Sequence, residues 1–134
     1  MKKILLLLPL VLAQNVLAET PTQFIAGYAA EAKQGQPGFA PDAARGKAFA
    51  SRNWGISEKM PGCTSCHTDN PRNEGRHAVT GKRIAPLSPA ANAERFSDPA
   101  KVEKWFKRNC KEVLGRVCSA AEKADFIQYV VTVK

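Results

Sequence analysis

The sequence lacks the short repeats and biased tracts that mark fibrous and low-complexity proteins. No segment has the period of collagen or of a coiled coil, and none is prion-like in composition. After the N-terminus there is no long apolar run, so the rest of the chain is not predicted to span a membrane. With 134 residues, 24% of them charged, and a mean hydropathy of −0.30, the chain is predicted to form one soluble globular domain.

The N-terminus has the composition of a secretory signal peptide. Lys2 and Lys3 precede an apolar run of about ten residues, and small residues lead to a predicted cleavage site after Ala18. The alternative is an uncleaved anchor, but a spanning helix needs about 20 apolar residues. Removing residues 1–18 takes away Lys2 and Lys3, lowers the formal charge from +8 to +6 and leaves residues 19–134 as a periplasmic protein.

Two of the four cysteines lie in a C-x-x-C-H motif formed by Cys63, Cys66 and His67. This motif is typical of covalent haem attachment, because the two thiols bond the haem vinyl groups and the histidine binds the iron on the proximal side. A thioredoxin-type site needs a preceding strand, and residues 59–62 do not form a strand pattern. A zinc site needs two further ligands at similar spacing. One covalent haem c is therefore predicted.

Methionine is scarce, and this matters for the second axial ligand of the iron. Most single-haem electron carriers of this kind use a methionine well downstream of the motif. Of the two methionines here, Met1 leaves with the signal peptide and Met60 lies too close to Cys63 to reach the distal side. The remaining candidates are His77 in a polar loop, a deprotonated lysine and Asn109.

Asn109 lies on a predicted helix that begins at Ser97-Asp98-Pro99, with a capping side chain and a proline in the first turn. A buried amide without a partner costs about 1–3 kcal/mol, so Asn109 is expected to bond either a backbone group or the iron. The helix has an apolar stripe, which consists of Val102, Trp105, Phe106, Asn109, Val113 and Leu114.

The opposite side of this helix is basic, with Lys101, Lys104, Arg108 and Lys111. Two interpretations are open. This basic face is either a docking surface for an acidic redox partner or a solvated helix face. A nucleic-acid partner is not expected for an exported haem protein.

The other two cysteines flank the end of the same helix. Gly115 is predicted to end it, and Ser119 with Glu122 forms a capping box for the next helix. A tight reversal there favours a disulfide between Cys110 and Cys118 over two free thiols. The bridge would hold the helix end that carries Asn109.

The complete pattern predicts an all-α, cytochrome c-like fold wrapped around one haem. Residues 42–134 form the haem domain, in which Gly46 of the first helix allows another backbone to approach closely. Residues 19–41 are interpreted as an extension with a short helix and a Gly/Pro connector. The last helix has a buried face made of Phe126, Ile127, Val130 and Val131.

Residues 101–125, KVEKWFKRNCKEVLGRVCSAAEKAD, resemble the C-terminal half of the oxygen-binding monohaem cytochromes c of the sphaeroides haem protein type, a DUF1924-like group. Residues 80–99 are similar to that family too, and with the haem motif the resemblance extends from about Arg45 onward. The Arg-Asn-Cys and Leu-Gly-Arg segments and the second cysteine are its specific markers.

The resemblance implies that His67 and Asn109 ligate the iron and that Cys110 and Cys118 are bridged. It also implies that the asparagine leaves when the iron is reduced or an external ligand arrives. Oxygen or nitric oxide then binds, and a partner such as a dihaem cytochrome c supplies electrons. Trp105 and Phe106 are predicted to line the distal pocket. The alternative is a simple electron-transfer cytochrome with His77 or a lysine as permanent sixth ligand.

Overall fold

The computed structural model describes residues 18–133 and is mainly helical. In chain order the helices are α1 (Pro21–Gly35), α2 (Ala43–Ser51), α3 (Thr64–His67), α4 (Pro99–Leu114) and α5 (Ala120–Thr132). A short antiparallel ladder of β1 (Gly75–Arg76) and β2 (Arg83–Ile84) interrupts the connection between α3 and α4. The predicted all-α class is confirmed, and the signal peptide prediction lies outside the described residues, apart from Ala18.

The start and end of α4 and the start of α5 lie at the residues that the sequence predicts. Asp42 caps α2 and Asp98 caps α4, each by accepting a backbone N–H with its carboxylate. Ser119 and Glu122 form the capping box of α5. Gly115 ends α4 in the left-handed region, at φ +71°, where a glycine carries no steric cost. Local capping chemistry therefore sets the boundaries of the helices that frame the site.

Helix α5 lies at the centre of the core, with α1 and α2 packed against it. Ile127 and Val130 are fully buried, Phe126 is nearly so, and Val131 is half-buried. The predicted burial of this helix face is thus confirmed for Phe126, Ile127 and Val130, whereas Val131 is buried only in part.

The crossing of α2 and α5 depends on Gly46. A Cβ atom at this position would lie 2.0 Å from the backbone oxygen of Asp125. The predicted close approach of a second backbone is therefore present. The same crossing buries the Asp125 carboxylate, which accepts from Arg45 Nε at 2.8 Å, Arg45 Nη2 at 2.9 Å and the Asp42 N–H at 2.7 Å. These charge-assisted bonds offset the cost of burying the carboxylate.

The segment before Asp42 also contributes to this core. Helix α1 opens with a capping box at Thr20 and buries Phe24, Tyr28 and Ala29. The Tyr28 hydroxyl donates a hydrogen bond to Glu103 of α4. Residues 21–35 therefore form a helix, as the sequence indicates, and that helix is integrated with the haem-bearing part of the chain.

One local expectation is wrong. The sequence predicts Trp105 on the buried stripe of α4, but it is 43% exposed, because Trp105 and Phe106 are about 100° apart around the helix and only Phe106 turns toward the core. The polar segment that contains His77 is predicted to be a loop, and His77 does lie in the connection between β1 and β2, although Gly75 and Arg76 before it pair with Ile84 and Arg83 as a short ladder.

Candidate haem site

The C-x-x-C-H motif forms a single helical turn. Cys63 stands at the N-terminus of α3, and its backbone oxygen accepts from the N–H of Cys66 at 3.2 Å and of His67 at 3.1 Å. Residues three apart on a helical turn lie on the same side, so the two thiols face a common direction. Both are free of disulfide bonds, which leaves them available for two thioethers.

Two glycines let other backbone segments pack directly against this turn. A Cβ at Gly75 would lie 2.0 Å from the Cys66 oxygen, and a Cβ at Gly62 would lie 2.7 Å from the Arg52 oxygen. The N–H of Ala78 donates to the Cys66 sulfur at 3.3 Å. Sequence reasoning missed these contacts. Gly75 inside a polar segment was the available signal, since an isolated glycine beside a strand often marks a close backbone approach.

His67 has its imidazole in a largely buried environment. Burial, followed by the positive charge of Arg95, lowers the pKa of His67 to about 4. Arg95 is held in place by donating from Nε to the Pro86 oxygen at 2.7 Å. The imidazole is therefore neutral at physiological pH, and the neutral ring is the form that binds a metal.

Asn109 is half-buried on α4, and its side chain forms no hydrogen bond within residues 18–133. Phe106 lies one turn earlier on the same side of the helix and packs against both hydrophobic clusters of the structure. Trp105 lies on a more exposed side, where Lys104 and Arg108 place their charges 5.6 and 5.5 Å from its ring. Of the two predicted pocket residues, Phe106 is thus the one that contacts the core.

The predicted disulfide is present. Cys110 and Cys118 are bonded, with their Cα atoms 5.7 Å apart, and both are buried together with Val113 and Leu114. A loop of this length contributes on the order of 2–3 kcal/mol in the chain-entropy model. The bridge ties the end of α4, next to Asn109, to the start of α5.

His77 is engaged in the turn between β1 and β2. Its ring Nδ1 accepts from the backbone N–H groups of Val79 and Thr80, both at 3.2 Å, and the backbone N–H of His77 donates to the Lys82 oxygen at 2.8 Å. The ring is therefore held by its own turn, which does not favour the role of sixth ligand.

The residues around the motif fit a haem. Apart from the two thiols and the neutral imidazole, a haem needs partners for its two carboxylates. Within residues 18–133, Trp54 Nε1 is the one buried side-chain nitrogen or oxygen that has no hydrogen-bond partner. The guanidinium groups of Arg52 and Arg116 lie 4.5 and 5.4 Å from the Trp54 ring. Arg116 already forms an ion pair with Glu122, so the Trp54 N–H and the Arg52 guanidinium are the donors that suit an anionic carboxylate here.

A helical fold built on a C-x-x-C-H turn defines a small c-type cytochrome with one haem. Residues 36–130 match the family model described as a domain of unknown function, DUF1924. The chain belongs to this family. No helix of the described part, residues 18–133, is long and apolar enough to cross a membrane.

Two relatives have well-matched sequences and folds. The chain is 46% identical to the cytochrome c-type protein SHP of Cereibacter sphaeroides over 128 residues, which cover 93% of this chain and 95% of that protein. A structure of oxidised SHP, described as an oxygen-binding cytochrome c, matches with a TM-score of 0.77 and 42% identity, over 86% of this chain and 98% of that one.

The second relative is cytochrome c″ of Methylophilus methylotrophus. Its solution structure, described as giving insights into haem-ligand detachment, matches with a TM-score of 0.71 and 41% identity, over 84% of this chain and 92% of that one. The resemblance noted in the sequence is confirmed by both relatives. The chain accordingly carries one covalently bound haem c.

Proposed function

We propose that this chain is a periplasmic cytochrome in which Asn109 is an exchangeable sixth ligand of the haem iron. Reduction of the iron weakens the bond to Asn109, and a small diatomic molecule such as oxygen or nitric oxide takes its place. Cys63 and Cys66 hold the haem covalently, and His67 is the permanent ligand on the other side. Residues 1–18 are the signal peptide that directs export.

The observation that carries the proposal is the position of Asn109. Its half-buried amide lies one turn after Phe106, which packs against the core, and it makes no hydrogen bond to another group of residues 18–133, so it is available to the iron. No methionine follows the haem motif in the sequence. The neighbouring Cys110–Cys118 bridge keeps this helix end in a defined position.

The chemistry of the amide explains why it exchanges. A haem supplies one-electron redox chemistry and a sixth coordination position for an external ligand. The Asn109 carboxamide oxygen is a neutral, hard donor, which suits ferric iron better than the softer ferrous iron. Phe106 adds an apolar wall one turn away, and an apolar wall favours an uncharged diatomic molecule over water or anions.

The relatives support ligand exchange in general terms. SHP is described as oxygen-binding, and the structure of cytochrome c″ is described in terms of haem-ligand detachment. Both have folds that match most of this chain.

Carbon monoxide tests the proposal directly. We expect the mature haem-loaded protein, after reduction with dithionite, to bind carbon monoxide rapidly, because reduction weakens the Asn109 ligand. Absorption spectra of both redox states, with and without the gas, measure this. A reduced protein that stays six-coordinate and ignores carbon monoxide would contradict the proposal. That result would favour an electron-transfer cytochrome with His77 or a lysine as permanent ligand.

We also propose that the basic face of α4 receives the electron donor. Lys101, Lys104 and Lys111 are exposed on this face, and Arg108 is more than half exposed. The partner that fits is an acidic redox protein such as a dihaem cytochrome c. Opposite charges at such a surface accelerate encounter, and salt screens them.

Reversing one charge on this face is expected to slow reduction of the haem by an acidic dihaem cytochrome c. Lys104→Glu should lower the second-order rate constant about tenfold at low salt, and the difference should shrink as ionic strength rises. The matched control is Lys47→Glu, which makes the same charge change on the exposed side of α2. Equal rates for the two variants in stopped-flow measurements would mean that the basic face is only solvated.

A further inference from the structure

A continuous series of aromatic rings runs through the core from α1 to the loop before the haem motif. Tyr28 meets Phe106 with centroids 6.0 Å apart, and Phe106 meets Phe126 at 5.9 Å. Phe126 meets Phe49 at 6.3 Å, and Phe49 meets Trp54 at 5.4 Å. All four contacts are edge-to-face, which is a favourable arrangement for packed rings.

This series includes a residue of α4, the helix that carries Asn109, and runs through the core cluster against which Cys63 also packs. Phe49 and Phe106 pack against the main core, as Cys63 does, and also against the cluster that contains the Cys110–Cys118 bridge. Phe106 is one turn from Asn109 on α4. With Asn109 on the iron, as proposed, the single ring of Phe106 lies between Tyr28 and the distal side of the haem.

Tyr28 has the surroundings of a residue that can lose an electron and a proton together. Its hydroxyl donates to Glu103, and the same carboxylate accepts from Lys123 Nζ at 2.9 Å. Partial burial would raise the pKa of Glu103, but the hydrogen bonds from Tyr28 and Lys123 outweigh it and lower the pKa. Glu103 is thus an ionised acceptor, already bonded to the phenolic proton.

Before any oxidation, Tyr28 is in its protonated form. Burial, and then the hydrogen bond and charge of Glu103, raise the pKa of Tyr28 above its ordinary value, so simple ionisation is disfavoured. Loss of an electron changes this, because an oxidised phenol is a strong acid. The proton then has a short path to a carboxylate that is placed to accept it.

We propose that Tyr28 is a redox-active residue that returns an electron to the haem after a peroxide has oxidised it. The inference rests on the proposed function, because peroxide must displace the exchangeable Asn109 to reach the iron. It adds a protective activity that ligand binding does not require. An iron site that binds oxygen is also exposed to hydrogen peroxide. An electron supplied by Tyr28 would reduce the oxidised haem and so protect it from oxidative damage.

Reduction of one hydrogen peroxide to two waters takes two electrons and two protons. At a bound haem, Tyr28 would supply one electron through the Phe106 ring while its O–H bond breaks and the proton passes to the Glu103 carboxylate, which leaves a neutral tyrosyl radical. The partner cytochrome c of the proposed function would supply the second electron and solvent the two protons, so that both oxygen atoms leave as water. A further electron from the same cytochrome, together with the proton held by Glu103, would restore Tyr28.

The chain allows a clean experiment, because it has two tyrosines, Tyr28 and Tyr129. Ferric haem-loaded protein is mixed with hydrogen peroxide, freeze-quenched and examined by electron paramagnetic resonance. We expect a tyrosyl radical in the unmodified protein and its loss in Tyr28→Phe, which keeps the ring contacts. Tyr129→Phe is the matched control, because Tyr129 is also buried but donates to a backbone oxygen, that of Asp69.

A second variant separates electron loss from packing. Glu103→Gln keeps a hydrogen-bond acceptor for Tyr28 but removes the negative charge that takes up the proton. We expect the radical yield to fall severalfold in this variant, with the carbon monoxide complex of the reduced protein unchanged. Haem bleaching by repeated peroxide additions should be faster in both Tyr28→Phe and Glu103→Gln than in Tyr129→Phe.

The outcomes distinguish this inference from the proposed function. If carbon monoxide binds but peroxide gives no tyrosyl radical, or gives one that persists in Tyr28→Phe, the redox role of Tyr28 is wrong and ligand exchange stands. A radical located on tryptophan instead would overturn it equally. If carbon monoxide does not bind, the proposed function fails and the redox role of Tyr28 fails with it, because peroxide needs the same exchangeable position.

Discussion

Replacing Asn109 by methionine is expected to abolish most of the diatomic binding of the reduced protein. A thioether is a soft ligand that ferrous iron retains, whereas an amide oxygen is a hard ligand that it releases. An incoming molecule would then have to displace a bound sulfur. We expect the affinity of the reduced protein for carbon monoxide to fall by about two orders of magnitude, which corresponds to roughly 3 kcal/mol.

Two further variants make this result specific. Asn109→Ala removes the ligand without a replacement, so carbon monoxide should bind the reduced protein at least as tightly as before, and the oxidised spectrum should become that of five-coordinate or water-ligated iron. Lys107→Met places a methionine on the exposed side of the same helix and should change neither spectrum. Unaltered carbon monoxide binding by Asn109→Met would remove Asn109 from the role of sixth ligand.

Replacing Gly46 by alanine is expected to destabilise the fold strongly. The added Cβ would lie 2.0 Å from the Asp125 oxygen and 2.8 Å from Tyr129 Cβ. The first of these neighbours is a backbone atom, which cannot move away by rotating about a side-chain bond. Helices α2 and α5 must therefore separate, and the buried Asp125–Arg45 pair must shift. We expect a loss of about 3 kcal/mol or more, a large part of the 5–15 kcal/mol typical of domain stability.

Thermal unfolding followed by circular dichroism measures this effect. A loss of that size should lower the Tm by roughly 10–20 °C for a domain of this length. Gly27→Ala is the control, because Gly27 is also helical but its Cβ would meet nothing within 4 Å. It should stabilise the protein by about 0.5–1 kcal/mol through helix propensity. Equal Tm values for the two alanine variants would contradict the close crossing.

The parts of the structure that follow from local chemistry could be predicted from the sequence. Asp42, Asp98 and the Ser119–Glu122 pair each cap a helix through atoms within a few residues, so their pattern is visible in one dimension. The Cys110–Cys118 bridge is equally local, and Gly46 signalled the crossing of α2 by another backbone.

The parts that depend on distant pairing could not be predicted in this way. Tyr28 and Glu103 are 75 residues apart, and Arg45 and Asp125 are 80 apart. Neither pair has a sequence pattern that links its members. The exposure of Trp105 was missed because an apolar stripe on a helix is wide, and residues at its edge face solvent or a neighbour according to the tertiary fold.

The separate placement of the two cysteine pairs has a consequence for biogenesis. An oxidising compartment must bridge Cys110 with Cys118, while haem ligation requires Cys63 and Cys66 as reduced thiols. Because Cys118 is eight positions after Cys110, their loop closes at a low entropic cost, whereas a bond from either to Cys63 would close a loop of more than forty residues. Chain topology thus favours the Cys110–Cys118 bridge and disfavours mixed disulfides between either of these cysteines and the haem-binding pair.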